Sequence, residues 1–279
     1  MSEPLEDVAA VIVDYHAGDA LVACVDSLRA NGVVDVVVVE NGETGSVPEG
    51  LADRSVTLVT PELNLGYGRG ANRGAAAAPR STYLLVSNPD VVLHEGAVLS
   101  LIRYLNAHPK AGIVGPRIER PDGTIYPSQR VFPNFWLAGM HALLAPLWPS
   151  NPATRRYRSV RPDGTLDWVS GACFVVRRDA FEAVGGFDER YFMFAEDMAL
   201  CWKLRESGYS AAAVSDAVVT HVEGLSRQRS PRAMVVAHHV SAMRFEWQTA
   251  RGVRRLLAPV ALLVLSSRLL LVWALHAES

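Results

Sequence analysis

The chain has 279 residues, enough for one large domain or for a domain with an appendage. Its formal net charge of -2, with 20% charged residues, argues against a nucleic-acid-binding protein, because no basic field is present to collect phosphates. Cys24, Cys173 and Cys201 lie in apolar segments without metal-like spacing, so we expect three reduced core thiols in a cytosolic setting. The acidic start lacks the features of a signal peptide, which predicts that the folded part stays in the cytoplasm.

Strand and helix patterns alternate along the first 115 residues. Continuous apolar runs predict strands at residues 8–13, 33–39, 56–59 and 83–86. Apolar residues at helical spacing predict helices at 19–30, 68–78 and 96–108. A strand, a helix and a second strand in succession imply a right-handed crossover and a parallel sheet. We therefore predict a doubly wound α/β fold for this part.

The second half is less regular. Residues 113–115 predict a short strand, and residues 116–161, rich in Pro, aromatic residues and Arg, predict a long irregular excursion with one helix near 136–147. Beyond it we predict a strand over 168–176, helices over 178–184 and 195–207, and a last strand over 217–220 that ends at His221.

The segment 256–275 is the most hydrophobic in the chain and is near the length of a membrane span. Pro259, Ser266, Ser267 and Arg268 interrupt it, and Arg251, Arg254 and Arg255 precede it. A central Arg is costly in a bilayer, so we predict a membrane-surface or re-entrant helix, with the three preceding arginines meeting anionic headgroups. The alternative is a buried oligomer interface.

Polar residues end four of the predicted strands: Asp14, Glu40, Asp90 and His221. The carboxyl ends of parallel strands meet at one crevice, so these side chains are expected to be neighbours. Asp90 follows Pro89, which stops the strand, and a strand-end carboxylate with a substrate diphosphate suits a divalent cation such as Mg²⁺. The alternatives are a simple turn at residues 88–90 and a structural role for His221.

Two further stretches carry candidate chemistry. Glycines at 68, 70 and 74 permit close approach, with Arg69 and Arg73 offering charge to phosphate, but the match to a dinucleotide fingerprint is weak because residues 61–65 separate it from the strand. Glu196 and Asp197 follow a run of aromatic residues that would raise a carboxylate's pKa toward that of a useful base. The alternative makes these two acids ordinary first-turn helix residues.

Taken in order, these motifs resemble those of family 2 glycosyltransferases of the GT-A fold. More narrowly, they resemble bacterial rhamnosyltransferases that extend lipid-linked cell-surface glycans. The motifs are Asp14-Tyr15-His16, Glu40-Asn41, the 64–74 stretch, Asn88-Pro89-Asp90, Ser170-Gly171-Ala172, Gly186-Phe187-Asp188-Glu189, Glu196-Asp197 and His221-x-x-Gly224-x-Ser226. The resemblance covers residues 8–244.

The resemblance implies an α/β fold of GT-A type, with a nucleotide-binding, mostly parallel sheet flanked by helices. This domain would occupy residues 1–232, with a nucleotide-sugar half to about residue 115 and an acceptor half over 116–232. Residues 233–279 would form a helical, membrane-associating tail.

The resemblance also implies a role for each matching residue. Asp90 would bind Mg²⁺ or Mn²⁺, assisted by His221, and Asp197 would be the catalytic base. The residues expected beside the donor are Asp14, Tyr15, His16, Glu40, Arg69, Asn72 and Asn88. Those expected beside the acceptor are Trp168, Gly171, Asp188 and Glu196.

The function implied is inverting, metal-dependent transfer of a sugar, L-rhamnose from dTDP-rhamnose, onto a lipid-linked glycan in cell-envelope polysaccharide synthesis. The protein would be peripheral, at the cytoplasmic face of the cell membrane, with a homo-oligomer through the tail as the alternative use of that segment. Two other functions fit a nucleotide-binding sheet: a sugar nucleotidyltransferase that releases pyrophosphate, and a non-catalytic module that binds a nucleotide or sugar.

Overall fold

The computed structural model describes residues 4–42, 47–126, 128–132, 148–157, 165–222 and 231–275. The helix predicted near 136–147 and the residues 224 and 226 of the last motif lie outside these ranges. The strands are β1 Leu5–Asp14, β2 Val33–Glu40, β3 Thr57–Val59, β4 Tyr83–Ser87, β5 Val91–Leu93, β6 Ala111–Glu119, β7 Gln129–Arg130, β8 Thr165–Leu166, β9 Trp168–Val169, β10 Cys173–Arg177 and β11 Ser210–His221. The helices are α1 Asp19–Ala30, α2 Tyr67–Ala77, α3 Ala97–Ala107, α4 Pro152–Tyr157, α5 Arg178–Ala183, α6 Glu196–Glu206, α7 Pro231–Thr249 and α8 Val253–Leu275, with a short 3-10 helix at Glu49–Arg54.

One large mixed sheet organises the described chain, in the order β3-β2-β1-β4-β10-β6-β11-β5, with β8 paired to β11. The first four strands are parallel, as are β6 and β11. β10 is antiparallel to both of its neighbours, and β5 is antiparallel to β11. The α/β class is confirmed, with a parallel half formed by the predicted crossovers and an antiparallel insertion from the second half of the chain.

The core lies on both faces of this sheet because the buried strands alternate their side chains between the faces. In β1, Ile12 packs in the cluster that contains Leu21 of α1 and Leu101 of α3. Its neighbour Val11 faces the cluster that contains Phe174 and the helices α2 and α6. Continuous apolar strands therefore reflect burial on two sides, as expected for a sheet covered by helices.

The glycines of α2 serve helix packing. A Cβ on Gly74 would lie 2.3 Å from Cγ1 of Val11, so only glycine lets α2 lie this close to β1. A Cβ on Gly66, whose φ is +79°, would lie 2.1 Å from the carbonyl oxygen of Phe192. Tyr67 N–H donates to that oxygen at 3.0 Å, so the start of α2 is fixed against the chain before α6.

The strand predicted over 168–176 is two strands, β9 and β10, with a break at residues 170–172. β9 pairs with β7 in a separate two-stranded sheet, and in the break Gly171 N–H donates to Oδ2 of Asp197 at 2.8 Å. A continuous apolar pattern does not reveal such a break, because the partners of these residues lie far away in sequence, 26 positions in the case of Asp197.

The C-terminal helices α7 and α8 pack against each other, joined at Gly252. Ser266 Oγ donates to Sδ of Met243 at 3.4 Å across the pair. Within the described residues, no helix combines the length and the apolar character that crossing a membrane requires. Exposed apolar side chains follow both helices, namely Val236, Val240, Trp247, Val253, Leu256, Val260 and Leu263.

The three arginines expected to meet headgroups have partners inside the protein. Arg251 pairs with Glu206 and Arg254 with Glu246, each at 2.6 Å. The guanidinium of Arg255 lies 4.0 Å from the ring centroid of Trp247 and donates to its carbonyl oxygen. Exposed pairs of this kind are weak, so the predicted contact of these arginines with headgroups stays a prediction.

Candidate active site

A pocket of about 390 Å³ opens where the parallel half of the sheet meets the antiparallel insertion. Of the predicted site residues, it is lined by Tyr15, Asn88, Asp90, Trp168, Gly171, Glu196, Asp197 and His221. A concave site with a few convergent polar groups is typical of a small-molecule site. The structure thus brings together residues separated by more than 200 positions in sequence.

One wall of the pocket holds Asp90 and His221. Nε2 of His221 lies 3.1 Å from Oδ1 of Asp90, and both residues are buried at 8% exposure. β4 ends at Ser87, and β11 pairs with β5 so that His221 stands opposite Val91. Val222 N–H donates to the Asp90 carbonyl at 3.0 Å, which fixes the two chain ends together. The expected proximity of the two strand-end residues is confirmed.

The donor set of this wall fits a divalent cation that shares its shell with a substrate. A carboxylate and an imidazole lie on one side of an open pocket, and Nδ2 of Asn88 lies 3.4 Å from Nε2 of His221. Nδ1 of His221 is buried without a hydrogen-bond partner among the described residues. No group of three or more His, Cys, Asp or Glu ligands occurs in the described ranges, so a cation here would need oxygens from its ligand.

Glu196 and Asp197 form the opposite wall, at the first turn of α6. Phe194 and Ala195 before them have φ of +66° and +62°, a left-handed conformation that ordinary residues seldom adopt. Strain of this kind persists only where the surroundings enforce it, and it is common in active sites. Both acids that follow this turn line the pocket.

The two acids differ in their hydrogen bonds. Asp197 accepts from Gly171 N–H at its Oδ2 and from Met198 N–H at its Oδ1, each at 2.8 Å. Oε2 of Glu196 is buried with no partner among the described residues. Burial raises the pKa of Asp197, against the lowering effect of its backbone hydrogen bonds. Burial and the neighbouring Asp197 charge raise the pKa of Glu196 to about 8.

Asp14 and Glu40 are buried side by side at the ends of β1 and β2, where they are register partners. Oδ1 of Asp14 accepts from Ala17 N–H at 3.1 Å, and Oε1 of Glu40 accepts from Val47 N–H at 3.3 Å. Burial raises the pKa of Asp14. His16 has a φ of +55°, and its ring contacts that of Tyr15 at 4.8 Å. Of this group only Tyr15 lines the pocket.

Three residues predicted to touch a substrate have other partners. Arg69 pairs with Glu189 at 3.3 Å, and Asn72 exchanges hydrogen bonds with the main chain of Phe187 at 2.9 and 3.0 Å. Asp188 pairs with Arg190 at 2.6 Å and accepts from Gln248 at 3.0 Å, and the bond to Arg190 lowers its pKa. None of these three lines the pocket. Their predicted substrate contacts stay predictions, and in this structure the bonds of Asn72 and Asp188 hold the 186–190 turn on α2 and α7.

Trp168 and Gly171, two of the residues predicted to contact the acceptor, line the pocket, and their acceptor contacts stay a prediction. Trp168 Nε1 donates to Val131 O at 3.2 Å, and the Arg130 guanidinium lies 5.1 Å from its ring centroid. Arg130 itself lines the pocket beside Tyr126. A cation over aromatic rings at the pocket mouth offers a partner for an anionic or sugar-bearing ligand.

Several pocket residues were missed in the sequence. They are Val13, Asn41, Asn64, Tyr67, Tyr126, Arg130, Ser170, Ala172, Met193, Phe194, Ala195, Met198, Met234, His238 and Ala242. Asn41 and Asn64 fall inside motifs that carry the family resemblance, and their amide side chains, which can both donate and accept hydrogen bonds, are the signal that could have identified them. Met234, His238 and Ala242 lie at four-residue spacing on α7, which identifies a helix face but gives no signal that it covers a pocket.

The fold is shared with solved glycosyltransferases. The mannosyltransferase PcManGT from Pyrobaculum calidifontis, solved with GDP-Man and Mn²⁺, aligns with 96% of this chain and 74% of its own, at 16% identity and a TM-score of 0.61. GalNAc-T7, solved with UDP, GalNAc and Mn²⁺, aligns with 80% of this chain and 45% of its own, at 15% identity and a TM-score of 0.60. The described chain therefore has the fold of GT-A glycosyltransferases.

The family model described as "Glycosyltransferase like family 2" matches residues 4–239, and the chain belongs to this family. It is 39% identical, over 78% of its length and 76% of the relative's, to the N-acetylglucosaminyl-diphospho-decaprenol L-rhamnosyltransferase of Mycobacterium tuberculosis. It is 28% identical to rhamnosyltransferase WbbL of Escherichia coli over 51% of this chain and 56% of that one. The protein is thus a glycosyltransferase, and the nucleotidyltransferase and non-catalytic alternatives are set aside.

Proposed function

We propose that this glycosyltransferase is an inverting, metal-dependent enzyme that transfers L-rhamnose from dTDP-rhamnose to a lipid-linked glycan acceptor in cell-envelope polysaccharide synthesis. The observation that carries the proposal is the pairing, in one pocket, of the Asp90–His221 wall with the Glu196–Asp197 wall. The name of the M. tuberculosis relative, which specifies a decaprenyl-diphosphate-linked acceptor and L-rhamnose, supports the choice of substrates.

Asp90 and His221 would hold Mg²⁺ or Mn²⁺. A bound cation supplies charge that neutralises the departing nucleotide diphosphate. Asn88, adjacent to His221, is proposed to orient the donor through its amide. Tyr15 would flank the nucleotide. Asp14, His16 and Glu40 do not line the pocket, and we assign them to supporting the end of the pocket where Tyr15 lies.

Asp197 is proposed as the general base that takes the proton of the acceptor hydroxyl. Two backbone N–H groups fix its carboxylate, and each oxygen keeps a lone pair that can accept the proton. A single displacement assisted by a base, with no protein nucleophile, inverts the configuration at the anomeric carbon.

Glu196 is proposed to contact the acceptor as a neutral carboxylic acid. Below a pH of about 8 its raised pKa keeps it protonated, so its carboxyl group, at the lining of the pocket, would donate to a sugar hydroxyl. One protonated and one ionised acid side by side would bind the hydroxyl-bearing acceptor and remove one proton from it.

The α7–α8 pair is proposed to lie on the cytoplasmic surface of the cell membrane and to bring the lipid-linked acceptor to the pocket. α7 contributes Met234, His238 and Ala242 to the pocket wall and exposes Val240 and Trp247 elsewhere on its surface. A helix that touches both the pocket and an exposed apolar surface suits an acceptor with a lipid at one end. Use of the same surface in a homo-oligomer stays the alternative prediction.

The test of this function is a donor and acceptor panel. Purified protein is incubated with Mn²⁺, a decaprenyl-diphosphate-linked N-acetylglucosamine and one of several nucleotide sugars, and products are separated by mass. We expect transfer of a deoxyhexose from dTDP-rhamnose and none of comparable rate from UDP-glucose or GDP-mannose. Faster transfer from either of those donors would reject rhamnose, and release of pyrophosphate from a nucleoside triphosphate would reject glycosyl transfer.

A further inference from the structure

Tyr67 is the first residue of α2 and lines the pocket, and it falls inside the 64–74 stretch although no role was predicted for it. Its hydroxyl donates to the carbonyl oxygen of Gly171 at 2.5 Å. Its ring packs edge-on against Phe187, with centroids 6.1 Å apart, and its N–H bonds to Phe192 O. The hydroxyl is therefore held in place by contacts on both sides of the helix start.

Gly171 supplies one of the two backbone N–H groups that fix the proposed base. Its N–H donates to Oδ2 of Asp197 at 2.8 Å, while its carbonyl receives the Tyr67 hydroxyl. It lies between β9 and β10, and its own two backbone groups bond to side chains, whereas its neighbours Ser170 and Ala172 bond to the backbone of Ser128 and Asn88. A Cβ on Gly171 would lie only 3.4 Å from Oδ2 of Asp197, so the two residues are in close contact.

We propose that Tyr67 is a positioning residue for catalysis: by holding the Gly171 carbonyl, it sets the N–H that orients the Asp197 carboxylate. The inference rests on the proposed role of Asp197 as base. Loss of the hydroxyl would remove the donor that holds the Gly171 carbonyl, while Ser170 and Ala172 on either side stay bonded to Ser128 and Asn88. The carboxylate would then sample more orientations, and a loosely placed base is a slower one.

The Gly171 bond also lowers the pKa of Asp197, so loosening that bond would raise the pKa. The other ionisable groups around this carboxylate are Glu196 on the same helix, Arg130 from β7, Cys201 one turn further on and Tyr67 itself. None of these other charges is changed when Tyr67 loses only its hydroxyl, because burial keeps that phenol neutral. The acid limb of the turnover profile should therefore move to higher pH.

The experiment compares Tyr67→Phe with Tyr83→Phe. Tyr83 also donates a 2.5 Å hydrogen bond, to Asn106, but it is buried between β4 and α3 and does not line the pocket. We expect Tyr67→Phe to lower the single-turnover rate about fivefold, the worth of one hydrogen bond, with donor KM unchanged and the acid limb shifted upward. Tyr83→Phe should leave rate and acid limb unchanged.

Two further variants separate positioning from other roles. In the Asp197→Asn background, Tyr67→Phe should cost less than twofold, because the base it positions is gone. Incorporation of 4-aminophenylalanine at position 67, which restores a donor, should recover most of the rate and serves also where the Phe variant unfolds.

An unchanged rate in Tyr67→Phe, a full fivefold loss in the Asp197→Asn background, or a raised donor KM at constant rate would overturn the inference. Near-normal turnover in Asp197→Asn alone would instead overturn the proposed base.

Discussion

The two walls of the pocket are built in different ways. Asp90 and His221 stand at strand ends, and their separation is fixed by the register of β5 and β11. Glu196 and Asp197 follow a left-handed turn at Phe194 and Ala195 and depend on a bond to Gly171 from a break in the sheet. The wall with Asp90 and His221, the cation wall, is thus held by the pairing of strands. The wall with Glu196 and Asp197, the acid wall, is held by a few side-chain and backbone contacts. The first wall should tolerate loss of its neighbours better than the second.

The largest effect is expected from Asp90→Asn, which removes the carboxylate that lies beside His221 among the described pocket residues. We expect turnover to fall about a thousandfold, since charge stabilisation by a metal is worth several kcal/mol. The matched control is Asp122→Asn, an acid in an exposed turn that bonds only to Thr124. Titration of activity with Mn²⁺ checks the cause, because the remaining activity should need more metal. Full activity of Asp90→Asn, or of the native protein in excess chelator, would remove the metal from the mechanism.

A second prediction concerns pH and the acid wall. In the unfolded chain Glu196 ionises near its ordinary pKa of 4.5, whereas in the fold it keeps its proton to about 8. Between these values the folded state binds more protons, so stability falls as pH rises. Glutamine does not ionise, so the Glu196→Gln variant should not lose stability in this way. Near pH 8 its free energy of unfolding should exceed that of the native protein by about 1 kcal/mol or more.

Chemical unfolding at pH 5 and pH 8 measures this difference. Glu206→Gln, at the exposed end of the same helix, is the matched control and should keep the native slope. In activity, the proposed pair gives a bell-shaped profile whose apparent pKa values belong to Glu196 and Asp197 jointly. An unchanged stability slope in Glu196→Gln would show that Glu196 is already ionised in the fold.

The sequence predicts the cation wall better than the acid wall, because the first depends on local patterns and the second on contacts between distant residues. Strand ends are readable from apolar runs and Pro89, so Asp14, Glu40, Asp90 and His221 were placed correctly at one edge of the sheet. The break at Gly171 and the pairing of Asn72 with Phe187 depend on contacts between residues 26 and 115 positions apart. Local patterns carry no signal for such contacts, so the sequence did not predict the internal partners of Asn72 or the bond from Tyr67 to Gly171.

The smallest effect on chemistry is expected from the exposed surface of α8. Replacing Leu256 and Leu263, which are 79% and 67% exposed, by Ser should release the protein from vesicles while leaving turnover of a soluble acceptor unchanged. The matched control is the pair Leu58→Ser and Leu63→Ser, exposed leucines of the N-terminal half. Because the three nearby arginines are predicted to meet anionic headgroups, binding should rise with the anionic lipid fraction, whereas the leucines supply most of the affinity.

Sedimentation with phosphatidylcholine vesicles, with and without phosphatidylglycerol, measures this binding. A Leu256 and Leu263 variant that still sediments would reject α8 as the contact surface. A native protein that never sediments but elutes as a dimer would favour the oligomer interface.

The most direct test of the account is the single-turnover rate of Asp197→Asn with saturating donor. The matched control is Asp179→Asn, since Asp179 is an exposed first-turn helix acid whose Oδ1 accepts the next backbone N–H at 2.7 Å, as Oδ1 of Asp197 does at 2.8 Å. We predict a loss of about a hundredfold or more for Asp197→Asn, the usual worth of a general base, with donor affinity unchanged, and no loss for Asp179→Asn. A rate within a few-fold of native for Asp197→Asn would contradict the assignment of the acid wall as the catalytic one.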